Sequence, residues 1–163
     1  MSISTERYQE KMKEIVDEHG LIILAVIGAG FSYAIGMAKK GFPDVIISTE
    51  DPKLAHYLLN RLYREWVDEG VVLGVNADLI QGQGGGVLRI GLEAITLDDE
   101  MKGKYICQAL AFYERYPDYL PSGEVSFVQA IWPDEKGLWP NESNYDHDKF
   151  PQQLFPKKAK SSH

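Results

Sequence analysis

The groups in this chain that could do chemistry are few and scattered. The four histidines, His19, His56, His147 and His163, include no H-x-x-x-H pair, the helical spacing that sets two imidazoles on one metal ion. Asp146-His147-Asp148 is the one cluster joining an imidazole to carboxylates. Adjacent loop residues rarely complete a ligand set, so no metal and no cofactor are expected. No G-x-S-x-G elbow or Ser-His-Asp order is present. The single cysteine, Cys107, lies in the apolar stretch Ile106-Cys107-Gln108-Ala109-Leu110 with no histidine nearby. It is expected to be a buried small apolar group rather than a nucleophile. Asp134, Asp146 and His147 are the candidates for general acid or base work, and no residue is assigned as catalytic.

Two glycine motifs invite a nucleotide reading. Ile23 to Ile27 runs into Gly28-Ala29-Gly30-Phe31-Ser32-Tyr33, with Glu50 twenty residues beyond Gly30. In a dinucleotide-binding unit such glycines let a helix N-terminus approach a pyrophosphate, and the acid holds a ribose hydroxyl. Here Tyr33 occupies the third glycine position, and Gly36 would cost the following helix about 1 kcal/mol. Phe31 to Met37 is therefore expected to be a strand. Gly82-Gln83-Gly84-Gly85-Gly86 lacks the Lys-Ser/Thr pair of a phosphate loop and reads as a hairpin turn.

The least ordinary stretch is Trp132-Pro133-Asp134-Glu135-Lys136-Gly137-Leu138-Trp139-Pro140, followed by Tyr145. Proline restricts the backbone and presents each indole rigidly, and tryptophan offers a stacking face with one donor. One reading is a loop stapled over the core; another is the wall of a pocket for a flat or phosphorylated molecule. The pocket reading assembles Ser32, Tyr33, Trp132, Asp134, Trp139 and Tyr145. It requires Val125 to Ile131 to pair near Phe31 to Met37.

These residues must be positioned by the following elements. Tyr8, Met12, Ile15 and Val16 recur at helical spacing in Thr5 to Glu18, which Gly20 ends. Leu21 to Ile27 is an unbroken apolar run and reads as a buried strand; Val45 to Ser48 reads as another. Asp51 caps and Pro52 opens a helix with Leu54, Leu58, Leu62 and Trp66 on one face, stopped by Gly70. Its Lys53, Asn60, Arg61, Arg64 and Asp68 face water, and His56 rides on it. Val71 to Leu73 is expected to be a short extended piece. Leu79 to Gln83 and Val87 to Ile95 form a hairpin, Lys104 to Tyr116 a helix, and Val125 to Trp132 a strand. The fold class is α+β: a single domain, mostly antiparallel sheet packed by two or three helices, with a long aromatic C-terminal loop. It covers 1–155, with 156–163 a flexible basic tail.

The chain has 163 residues, 44% hydrophobic and 25% charged, which suits one domain with a real core. No apolar run approaches the roughly 18 residues of a membrane span. Its net charge of -7 excludes a uniformly basic nucleic-acid surface. One cysteine permits no intrachain disulfide, which points to a reducing cytoplasm.

Several segments together resemble one family. Phe31-Ser32-Tyr33-Ala34-Ile35-Gly36-Met37 looks like an F-x-Y-T-V-G-L strand, and Gly41-Phe42-Pro43-Asp44-Val45 like a G-H-P-E-L turn. Leu58-Leu59-Asn60 is similar to an L-L-N helix core. Trp132-Pro133-Asp134 through Gly137-Leu138-Trp139-Pro140 is similar to a closing W-P-D…G-x-W-P signature. The family they resemble is the uncharacterised bacterial and phage group called domain of unknown function 4262, over about Glu18 to Phe155. The resemblance implies an α+β domain and carries no agreed activity. Its usual turn histidine is Phe42 here.

The leading functional expectation is a small cytoplasmic domain that binds a compact, nucleotide-like ligand in the aromatic pocket. Alternatives are a small hydrolase of a phosphorylated or amide substrate, and a phage or bacterial protein-interaction module. A small-molecule partner is expected, without membrane or nucleic acid, and a homo-oligomer is left open.

Overall fold

The computed structural model describes residues 3–26, 28–81 and 87–158. The chain opens with α1 (Ile3–His19), β1 (Ile22–Val26) and β2 (Phe31–Ile35). A 3₁₀ turn (Met37–Lys40) leads to β3 (Asp44–Ile47), then α2 (Pro52–Glu69), β4 (Gly74–Gln81) and β5 (Val87–Ala94). A π turn (Met101–Tyr105), α3 (Cys107–Arg115), a second 3₁₀ turn (Pro117–Tyr119) and β6 (Phe127–Ile131) complete the regular structure. The strands form one sheet in the order β1-β2-β3-β6-β5-β4, with β3 and β6 parallel and the other pairs antiparallel. This is a single α+β domain built on a mixed sheet.

Strand alternation assigns the core to two layers. Ala34, Val45, Ile47, Leu92, Val128 and Ala130 pack against Ala55, Leu58, Leu59, Leu62 and Trp66 of α2. Their neighbours Tyr33, Ile35, Ile46 and Phe127 face the other way, onto Met12 and Val16 of α1, Ile106, and Ala109, Phe112 and Tyr113 of α3. The central strands β2, β3 and β6 are therefore buried throughout.

The expected capping of α2 is present: the Asp51 carboxylate accepts the N–H groups of Lys53 and Leu54, and Pro52 is the first helical residue. Phe31–Ile35 is a strand, and Gly28 and Gly30 turn between β1 and β2 with φ of 85° and 74°, which excludes the dinucleotide unit. Other expectations need correction. β1 is an edge strand, only partly buried, because its apolar run feeds both core layers from the sheet's margin. The helix expected over Lys104 to Tyr116 breaks at Ile106, where the backbone turns to φ -112° and ψ 24° between the π turn and α3. Cys107 is exposed, because its apolar neighbours Ile106 and Ala109 take the buried side of that helix. Val71, Val72 and Leu73 lie outside any strand and are exposed. Val125 to Trp132 narrows to Phe127–Ile131.

β4 and β5 pair antiparallel as a hairpin should, and the turn glycines Gly84, Gly85 and Gly86 lie outside the described residues. Of the basic segment expected to be loose from 156, the Pro156 carbonyl accepts the Thr96 N–H and the Lys158 N–H donates to the Ala94 carbonyl. Residues 156–158 are thus tied to the end of β5, and 159–163 lie outside the described residues.

Candidate functional site

The aromatic loop is organised by Asp134. Its Oδ1 accepts the N–H groups of Lys136 and Leu138, both at 2.9 Å, and its Oδ2 accepts that of Asp146 at 3.0 Å. Burial works to raise its pKa, but the three donors outweigh it and hold the carboxyl below the usual range. A carboxylate so engaged is a hub for the turn, with little capacity left for a ligand. Tyr145 is engaged likewise: its hydroxyl donates to the Phe150 carbonyl at 2.6 Å and accepts from Gln152 Nε2 at 2.5 Å. Gln152 in turn clasps both backbone groups of Trp132, at 3.2 and 2.9 Å.

The six residues of the expected aromatic pocket do not line one cavity. β6 pairs with β3 and β5, so β3 separates it from β2. Tyr33 is 1% exposed and packs on Phe31 and Phe127, beneath α1 and α3. Trp132 packs against the opposite core, with α2. Trp139 rests over Gly91 and Ile131, with the Arg89 guanidinium 5.8 Å from its ring centre. Gly91 lies on β5, three strands from Tyr33, or about 14 Å across the sheet. Ser32 lines a small cavity of about 200 Å³ with Gly28, Gly30, Thr49 and Glu50, and Trp139 lines another of about 240 Å³ with Val75 and Glu142. Asp146 and His147 sit on an exposed turn, where the His147 ring meets Tyr145 edge-on at 4.7 Å.

Two features escaped the sequence reading. The first is Asp44, fully buried at the start of β3. Its Oδ1 accepts the Met37 N–H at 3.0 Å, and Tyr113 donates its hydroxyl to Oδ2 through a short bond. The Tyr113 oxygen accepts the Gly36 N–H at 2.8 Å. Burial pushes the Asp44 carboxyl up to about 7, against the pull of the Tyr113 and Met37 donors. Burial, with Asp44 beside it, also raises the Tyr113 hydroxyl. This pair fastens the β2–β3 connection to α3.

The second is a groove of about 840 Å³ at the N-terminal end of β1, between α1 and α2. Ile15 and His19 come from α1, Leu21, Ile22 and Ile23 from the strand and its entry, and Lys53, His56, Tyr57, Asn60 and Arg64 from one stripe of α2. These α2 positions fall at i, i+3, i+4, i+7 and i+11, one stripe of a helix whose other side is core. No carboxylate lines the groove among the described residues, and neither Lys53 nor Arg64 forms an ion pair with a described carboxylate. Asn60 Nδ2 lies 3.1 Å from His56 Nδ1 and 2.9 Å from the His56 carbonyl. The Asn60 amide is thus held against His56 on the same stripe. The floor is apolar and the rim offers donors, an arrangement suited to an anion with an apolar body. The sequence signal was the gathering of bases on one stripe of α2 while Glu65, Asp68 and Glu69 fall near its end.

A mixed six-stranded sheet with helices on both faces and a self-stapled Trp-Pro loop defines the class of protein. The chain belongs to the family described as domain of unknown function (DUF4262), whose model matches residues 15–146. Phe42, which stands at the family's turn histidine, meets Tyr63 and Trp66 edge-on at 6.3 and 5.9 Å and so belongs to the α2 core. No curated protein and no solved structure matches the chain. Among the described residues no helix is long and apolar enough to cross a membrane.

Proposed function

We propose that the protein is a binding module for a compact anionic ligand, held in the groove between α1, β1 and α2. The observation that carries this reading is charge segregation. On a chain of net charge -7, the groove gathers Lys53, Arg64, His19, His56 and Asn60 without a lining carboxylate. An unpaired base on a solvated helix face is ordinary; two, Lys53 and Arg64, bordering one apolar-floored groove with no lining carboxylate support a local positive field. The volume of about 840 Å³ falls in the usual range for small-molecule sites, about 300–1,000 Å³.

A nucleotide-like ligand fits this layout. Tyr57 supplies a stacking face, and along the helix axis it lies about 6 Å from Lys53 and about 10 Å from Arg64. A ring on Tyr57 and a phosphate on either base therefore match the span of one mononucleotide.

Calorimetric titration with ATP, AMP and inorganic phosphate tests the reading. Binding that weakens with salt is expected, with Lys53→Ala and Arg64→Ala each losing about fivefold in affinity. Failure of every anion to bind, or undiminished affinity in the double variant, would refute it.

A further inference from the structure

The groove lies at the start of a strand, against Ile22 and Ile23 of β1 and Leu21 just before it. Side chains of a strand alternate between faces, so a cavity lying on one face touches every second residue. Here Ile22 and Ile23, neighbours in β1, both line the groove, as does Leu21 before the strand, which sets it against the outer edge at the beginning of β1. That edge is open: β1 ends the sheet and pairs with β2 alone among the described residues.

Natural sheets guard such edges with charges, prolines, bulges or covering elements. β1 reads Ile-Ile-Leu-Ala-Val, without a charge or a proline, and pairs with β2 residue for residue from Ile22 to Val26 with no bulge. The other edge strand, β4, has a register shift between Asn76 and Ile80. The two edges of one sheet are therefore finished differently, and the regular one borders the basic stripe.

From these observations we infer that the groove's occupant is an extended acidic segment of another polypeptide, added as a strand to the edge of β1. This rests on the reading of the groove as an anion site, and narrows the ligand from a free anion to a short anionic stretch of chain. α1 and α2 flank the edge from opposite faces of the sheet, so an added strand would be covered on both sides. Its backbone would pair with β1 while its carboxylates met Lys53 and Arg64, as in other recognition by strand addition. Lys53 and Arg64 are eleven residues apart, about 16 Å along the helix. Five extended residues cover about the same distance, which is also the length of β1. Two acidic side chains about four residues apart would meet both bases.

The test uses the full chain and a synthetic eight-residue peptide alternating glutamate with valine or threonine. Two further versions carry N-methyl groups on alternate backbone amides, one in each frame, and ATP and a single-stranded oligonucleotide are run alongside. The expected result is peptide binding, lowered about fivefold by Lys53→Ala or Arg64→Ala. One N-methylated frame should lose at least about tenfold, because its methyls replace the donors facing β1. Hydrogen exchange of the outward β1 amides should slow on binding. Equal affinity for the peptide and both methylated versions would overturn strand addition while leaving the anion site intact. So would binding of ATP or the oligonucleotide without binding of the peptide. Binding by none of the probes would overturn both readings.

Discussion

Asp44 predicts an unusual dependence of stability on pH. It is fully buried, and the groups bonded to its carboxyl are an amide and a phenol, neither of which is a cation. Its carboxyl therefore holds a proton up to about pH 7 in the folded chain, against an ordinary 3.8. For an acid raised on folding, the native state binds the proton that the unfolded chain has released. The resulting stability is full below about pH 4 and is lost as pH rises toward and through 7. Between about pH 5 and about pH 8 the loss amounts to about 3 kcal/mol. Asp44→Asn removes the titration with an uncharged side chain of the same shape whose Oδ1 still accepts the Met37 N–H; the altered bond to Tyr113 adds a cost that does not change with pH. Urea denaturation of both proteins across that range isolates the effect, because other carboxylates cancel in the difference. The native chain should lose about 3 kcal/mol relative to Asp44→Asn as pH rises over this range. Parallel curves, or a relative loss toward acid, would show that the buried carboxyl is ionised in the fold.

Other consequences of the packing can be checked individually. Tyr113→Phe strips partners from the Gly36 N–H and from Asp44 Oδ2, and should cost about 2–4 kcal/mol in urea midpoint measurements near pH 5. Gly20→Ala should cost about 2 kcal/mol or more by the same assay: Gly20 has φ of 90°, and an added Cβ would come within 2.0 Å of the Tyr63 hydroxyl oxygen. Asp134→Ala should free the turn between Lys136 and Asp146, seen as faster proteolytic cutting there while the sheet amides keep their exchange protection.

Much of the architecture was legible because its signals are local. Asp51-Pro52 and the Leu54-Leu58-Leu62-Trp66 spacing fix α2, and Tyr33 at the third glycine position with Gly36 beyond it turns the dinucleotide reading into a strand. What the sequence did not reveal was set by partners far along the chain. An apolar run such as Ile22–Val26 looks the same at a sheet's centre and at its edge; the neighbour missing on one side is a fact of topology. Likewise Ile106 ends one turn and begins another through its contacts in the core, while the apolar pattern runs on across it.

The residues of the expected pocket lie apart for a related reason. Trp132, Asp134, Trp139 and Tyr145 were striking as residue types, and types say nothing of whether their bonds are already satisfied. Asp134 spends its carboxylate on three amides, and Tyr145 its hydroxyl on Phe150 and Gln152. The loop is conspicuous because it must hold its own shape without a strand or helix. Lys53 and Arg64 look bland by comparison, yet α2 leaves their donors beside one hollow at the open edge of β1. Recognition capacity belongs to groups that the fold positions and leaves unspent, which here favours the plain helix stripe over the tryptophan-rich loop.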